Sequence, residues 1–174
     1  LYATLAALGG ADDLDARIGP LADATERVIE DARPLLHDLA AQGFDRVAYL
    51  GSGILQGLAR EAALKLGELS NGAVATCFDS PLGFRHGPKT FVTARTLVVV
   101  FVSNDPLTRR YDLDLVDELR NDGCAGRVLE ITAQPRSTQA GDALPVPAMT
   151  FAADIDLLFP HVAAAPARTL FCAR

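Results

Sequence analysis

Two kinds of apolar pattern alternate along this chain: stretches in which apolar residues return every three or four positions, and short runs in which they are nearly continuous. Over residues 20–42, Leu21, Thr25, Val28, Ile29, Leu35, Leu36 and Leu39 recur at helical spacing. Pro34 lacks an N–H and crowds the turn before it, so it is expected to kink or divide this helix near Arg33. Gly43 then ends the helix, and RVAYL at 46–50 reads as a buried strand. The pattern next predicts a helix over 54–69, stopped by Asn71-Gly72, and a second strand over 73–78. Residues 80–92 read as a loop with a short helical turn. TLVVVFV at 96–102 has the β-branched continuity of a central strand covered on both faces. A helix over 111–121 is expected to turn Leu113, Val116 and Leu119 inward, followed by a strand over 128–132. A short fifth strand over 143–147 belongs at an edge, where its prolines are tolerable.

Helix and strand alternating at this spacing predict parallel βαβ units, hence an α/β fold: a three-layer α/β/α sandwich around a mostly parallel sheet of about five strands. The expected organisation is a helical segment over 1–45 packing on a core domain at 46–150. A C-terminal segment at 151–174 lacks a clear apolar period.

Composition removes several functional classes. The 174 residues, 49% of them apolar, can bury a single good core. A net charge of −6 and the absence of any Lys/Arg block leave no basic field for a nucleic-acid backbone, so no nucleic-acid partner is expected. Cys77, Cys124 and Cys172 are widely spaced and form no C-x-x-C pair, which reads as a reduced, cytoplasmic protein with no metal site. The longest apolar run falls far short of the roughly 20 residues that cross a bilayer, so no membrane association is expected. Opening on Leu1 rather than Met, the chain reads as part of a longer product.

In sheets of this kind, ligands bind beyond the carboxyl ends of the strands. Gly51-Ser52-Gly53, Ser80 and Ser103-Asn104 are predicted at such ends and should converge on one crevice. The glycine turn suits an anionic or hydroxylated ligand, because free N–H groups and a positive dipole meet at the helix start. A dinucleotide fingerprint would need glycine where Gln56 stands, and a bare tight turn is the other reading. On the helix that follows, Glu61, Lys65 and Glu68 fall within one narrow arc at roughly 100° per residue. Leu55, Leu58, Ala62, Leu66 and Leu69 form a separate apolar stripe. Glu followed four residues later by Lys is the ordinary stabilising pair of an exposed helix. It is also, with a nearby histidine, a set able to move protons on a small polar substrate. The loop that follows holds Arg85, His86 and Lys89 within five residues, constrained by Gly83, Gly87 and Pro88.

GSG, then EAALKLGEL, then SPLGFRHGPK, then the strand ending in SND and the segment YDLDLVDELR, resemble the second sugar isomerase (SIS) domain of the tagatose-6-phosphate ketose/aldose isomerase family. A more distant likeness is to the isomerase half of glucosamine-6-phosphate synthase. The resemblance spans about 46–131, and EAALKL with FRHGPK carries its specificity. It implies a flavodoxin-type SIS domain that binds phosphosugars, needs no cofactor, and works as a homo-oligomer or beside a second SIS domain. Glu68 then matches the carboxylate that moves a proton between C1 and C2, and His86 the histidine that assists ring opening from a neighbouring subunit. Glu61 and Lys65 match further active-site positions. Gly51, Ser52, Gly53, Ser80, Arg85, Lys89, Ser103 and Asn104 are expected to contact the sugar phosphate. The implied activity is aldose–ketose interconversion of a sugar phosphate, or isomerisation of an amino-sugar phosphate with loss of ammonia. The alternative is a non-catalytic phosphosugar-sensing SIS module, although the first 45 residues show no basic recognition helix.

Overall fold

A computed structural model describes residues 14–136, 142–146 and 154. The elements are α1 (Leu14–Ala41), β1 (Arg46–Gly51), α2 (Ile54–Leu69), β2 (Ala75–Asp79) and α3 (Pro81–Arg85). After a 3-10 turn (Pro88–Phe91) come β3 (Thr96–Phe101), α4 (Pro106–Asp122), β4 (Arg127–Thr132) and β5 (Ala143–Pro145). The strands form one sheet in the order β2-β1-β3-β4-β5, every pair parallel.

Alternation along the strands sorts side chains into two layers. Val47 and Tyr49 of β1, Leu97, Val99 and Phe101 of β3, and Leu129 and Ile131 of β4 pack with α1 and α2. The intervening Ala48, Leu50, Val98, Val100 and Val128 pack with Phe84 of α3 and with Leu115, Val116 and Leu119 of α4. β3 is buried along its whole length, as its β-branched run requires. The predicted α/β/α sandwich is therefore the fold.

Four local expectations differ from the structure. α1 runs through both Pro20 and Pro34 without dividing. Its buried stripe continues on both sides of Pro34, with Ala32 before it and Leu36 and Leu39 after it, so tertiary packing outweighs one lost backbone bond. β2, predicted from residue 73, begins at Ala75 and is a half-exposed edge. α4 begins five residues earlier than predicted, because Asp105 caps it by accepting from the Thr108 N–H at 2.8 Å and Pro106 occupies its first turn. Its inward set is Asp112, Leu115, Val116 and Leu119, with Leu113 only partly covered.

Candidate functional site

The β1–α2 turn is built on close approach. A Cβ on Gly51 would lie 2.5 Å from the Leu55 carbonyl oxygen, so only glycine lets the first turn of α2 sit directly on the strand end. From there Leu55, Leu58, Ala59, Ala62, Ala63 and Leu66 are buried against the sheet. Leu69, predicted as part of that stripe, is 44% exposed in the last turn. The opposite face carries Glu61, Lys65 and Glu68 together, as predicted. The Lys65 ammonium lies 2.9 Å from Glu68 Oε2 and 3.7 Å from Glu61 Oε1. The hydrogen bond to Glu68, then the charges of both carboxylates, hold the Lys65 amine above its ordinary range. All three side chains are about half exposed, at 55%, 48% and 54%. Ile54 and Leu64 share this outer face and are also exposed, at 45% and 51%.

At the carboxyl ends of the strands, the topology puts the switch point between β1 and β3: the chain leaves β1 for the edge strand β2 and returns on the other side. Ser52 and Ser103 flank that point and meet on a residue that sequence reasoning did not single out. Asp112 of α4 is fully buried. Its Oδ1 accepts from the Ser52 hydroxyl at 2.5 Å and its Oδ2 from the Ser103 N–H at 3.0 Å. Burial is the main influence on its carboxyl and raises its pKa, partly offset by those two donors. Ser103 Oγ donates to Asp154 Oδ2 at 2.6 Å and the Asn104 N–H to Asp154 Oδ1 at 2.7 Å. Arg109 joins this end to β4 through Thr132 Oγ1 at 3.0 Å and the Gln134 carbonyl at 2.5 Å. Two of the three predicted loops thus converge, and the hydroxyls of Ser52 and Ser103 and the backbone N–H groups of Ser103 and Asn104 are already engaged by carboxylates. Ser80 does something else: its hydroxyl caps α3 by accepting from the Gly83 N–H at 3.0 Å.

The loop of Arg85, His86 and Lys89 is anchored by Phe84, which is fully buried against the layer opposite α2. Arg85 Nη2 donates to Asp114 Oδ2 at 2.7 Å. Its Nε lies 3.0 Å from Glu118 Oε2, an ion-pair contact without hydrogen-bond alignment. Lys89 donates to Glu118 and, at 2.6 Å, to Asp122. These bonds, first Asp122 and then Glu118, raise the Lys89 pKa. His86 stands between the two tethered cations and is exposed. No hydrogen bond joins it to Glu61, Lys65 or Glu68, whose helix packs on the other side of the sheet.

A separate open depression of about 620 Å³ lies at the other end of the sheet, where Gly123 caps α4 and Arg127 begins β4. Its arginines serve the fold: Arg120 and Arg136 bind the buried Glu130, and Arg136 also binds Asp117. Among the described residues no group of three or more His, Cys, Asp or Glu is arranged to hold a metal ion, and no helix is long and apolar enough to cross a membrane.

No protein-family model matches the chain. It is 44% identical over 164 residues to a provisionally named D-galactosamine-6-phosphate deaminase, AgaS, of Streptomyces coelicolor, which covers 91% of this chain and 43% of that protein. The crystal structure of tagatose-6-phosphate ketose/aldose isomerase from Escherichia coli superposes with a TM-score of 0.77 at 41% identity, over 87% of this chain and 41% of that one. The C-terminal domain of glucosamine-fructose-6-phosphate aminotransferase from Francisella tularensis shares the fold alone. Its TM-score is 0.65 at 17% identity, over 94% of this chain and 44% of that one. The chain thus spans less than half the length of the relatives it matches. In sequence and in fold it is an SIS domain similar to part of the tagatose-6-phosphate ketose/aldose isomerases.

Proposed function

We propose that this chain supplies the proton-transfer face of a phosphosugar isomerase. The reaction is aldose–ketose interconversion of a sugar phosphate, or isomerisation of an amino-sugar phosphate with release of ammonia. The carrying observation is the outer face of α2, where a lysine sits between two carboxylates in reach of solvent. In this reading Glu68 takes the proton from one carbon and returns it to its neighbour, as a carboxylate base can. Lys65 neutralises the negative charge that develops on the enediol oxygen. Glu61 holds the ammonium in place, and the Lys65–Glu68 bond keeps base and cation in one geometry.

His86 is proposed as the ring-opening acid or base for a site on another subunit. Support comes from the layers: the anchor of its loop and the face of Glu68 lie on opposite sides of one sheet. Such an arrangement calls for a homo-oligomer, or for a second SIS domain closing over α2. A half-exposed catalytic face flanked by Ile54 and Leu64 fits a face that is covered in the assembled enzyme. Within the chain, residues 46–150 are proposed as the phosphosugar-binding core and the 1–45 segment as packing on it through α1, while residues 1–13 and nearly all of 151–174 lie outside the described residues. Gly51, Ser52, Gly53, Ser80, Ser103 and Asn104 remain the proposed surroundings of the sugar phosphate, whereas Arg85 and Lys89 are paired with the carboxylates of α4. A cytoplasmic setting suits such a substrate.

The names of the relatives put galactosamine 6-phosphate and tagatose 6-phosphate first among substrates to try. The test is to incubate the full-length parent with each and follow ammonia and the aldose-to-ketose ratio. Ammonia from the amino sugar assigns deamination, and equilibration of the tagatose ester assigns simple isomerisation. Neither product, in a preparation that still binds either ester, would leave the sensing reading and remove the catalytic one.

A further inference from the structure

Asp114, Glu118 and Asp122 stand four residues apart on α4 and so form one stripe along the helix. Each meets a cation of the His86 loop. Arg85 reaches Asp114 and Glu118, and Lys89 reaches Glu118 and Asp122. Arg85 and Lys89 keep only 22% and 24% of their side-chain surface exposed, against 48% for Lys65. Three carboxylates against two cations leave the cluster with an excess of negative charge and no call for a substrate anion. We propose that this acidic stripe is the tether of the His86 loop, with Glu118 as its positioning residue, and that Arg85 and Lys89 act as the loop's anchoring arms.

The spacing within the loop explains why two arms are needed. Arg85 precedes His86 directly, and Lys89 follows it by three residues across Gly87, which has φ 153°, and Pro88. Phe84 fixes the loop's base in the core. Beyond it, the chain turns through a glycine and would be free to swing. Pinning both sides of that turn to one rigid helix fixes where His86 projects while leaving its imidazole unbonded. Glu118 alone contacts both arms, so its loss weakens both at once and leaves each with a single carboxylate, Asp114 or Asp122.

This inference rests on the proposed role of His86, and the experiment separates the two. In the full-length protein, Glu118→Gln keeps size and hydrogen-bonding capacity but removes the charge. Amide exchange over residues 85–91 should accelerate by roughly three- to tenfold while the rest of the domain exchanges as before. Asp117→Asn, which removes a carboxylate of the same helix that pairs with Arg136, should leave that loop unchanged. Turnover should show the same signature as His86→Asn: slower reaction of the cyclic sugar phosphate with little loss on an open-chain analogue. Glu118→Asp should recover part of both effects, and Lys89→Met should loosen the loop from its other side. Unchanged exchange over 85–91 in both Glu118→Gln and Lys89→Met overturns the tether. Faster exchange with no selective loss on the cyclic substrate overturns the positioning role. If His86→Asn itself has no effect, the catalytic reading fails while the exchange result still judges the tether.

Discussion

Two helices of this domain carry similar charge patterns and use them in opposite ways. α2 places Glu61, Lys65 and Glu68 on one face, and α4 places Asp114, Glu118 and Asp122 on another. In α2 the three groups pair only with one another and remain half exposed. In α4 each acid reaches across to a different element and ties the His86 loop down. An ion pair within an exposed helix contributes little to stability, so the α2 charges are unspent by the fold and open to chemistry. Those of α4 are committed to architecture. Spacing in sequence cannot tell the two apart; what faces the helix can.

The largest effect that sharpens this contrast comes from the anchor on the α4 side. Phe84→Ala empties a fully buried site beside Leu115 and Val116 and should cost about 3–5 kcal/mol in chemical denaturation, with the His86 loop freed. A loss close to zero would mean that the loop is held by its charges alone. Next is a matched pair of lysine substitutions. Lys89→Met should destabilise by on the order of 1 kcal/mol at low salt and by less in 1 M salt, because its partners are partly shielded. Lys65→Met should leave the melting midpoint where it was. Equal losses at the two positions would erase the distinction between the helices.

The apolar period, with Asn71-Gly72 as its stop signal, marks α2 well, because six small or leucine side chains on one face meet a flat sheet and nothing interrupts them. It also put Glu61, Lys65 and Glu68 together. The start and phase of α4 were harder. Asp105-Pro106 with Thr108 following is a helix-start signal, but the apolar period shows only from Tyr111 onward. The phase error had a chemical cause: the true stripe is 112, 115, 116, 119, and its first position is an aspartate. A carboxylate is not expected in a buried stripe, so the apolar pattern points to Leu113 in its place and gives no sign of the junction that Asp112 makes with Ser52 and Ser103. The pairing of Arg85 and Lys89 with α4 joins residues 29 and 33 positions apart, a relation no local pattern contains.

Smaller effects test the same contrast through pH and burial. The Arg136 hydrogen bond, then its charge, lowers the Asp117 pKa from 3.8. With the folded value below the unfolded one, this pair stabilises the protein above pH 4 or so, and the gain is lost as pH falls through the lowered value. Asp117→Asn should therefore flatten the fall of melting temperature in acid, by a modest amount because the carboxylate is half exposed. An unchanged slope would remove this pair from the architectural set. On the α2 side, the Tyr49 hydroxyl is buried without a partner, and burial pushes its pKa well above the ordinary range. Tyr49→Phe removes an unsatisfied group and should leave stability unchanged or raise it by up to about 1 kcal/mol. A clear loss in urea unfolding would show that the hydroxyl is satisfied in solution.

The central claim is that the carboxylates of α2 belong to the reaction and not to the fold. Glu68→Gln in the full-length parent tests it most directly, with turnover and melting temperature measured on one preparation. Removing a general base should lower turnover by roughly 10²–10⁴ while substrate binding changes little, and the melting temperature should stay put because Glu68 pairs only with an exposed neighbour on its own helix. Near-normal turnover, with or without a loss of stability, would contradict the account.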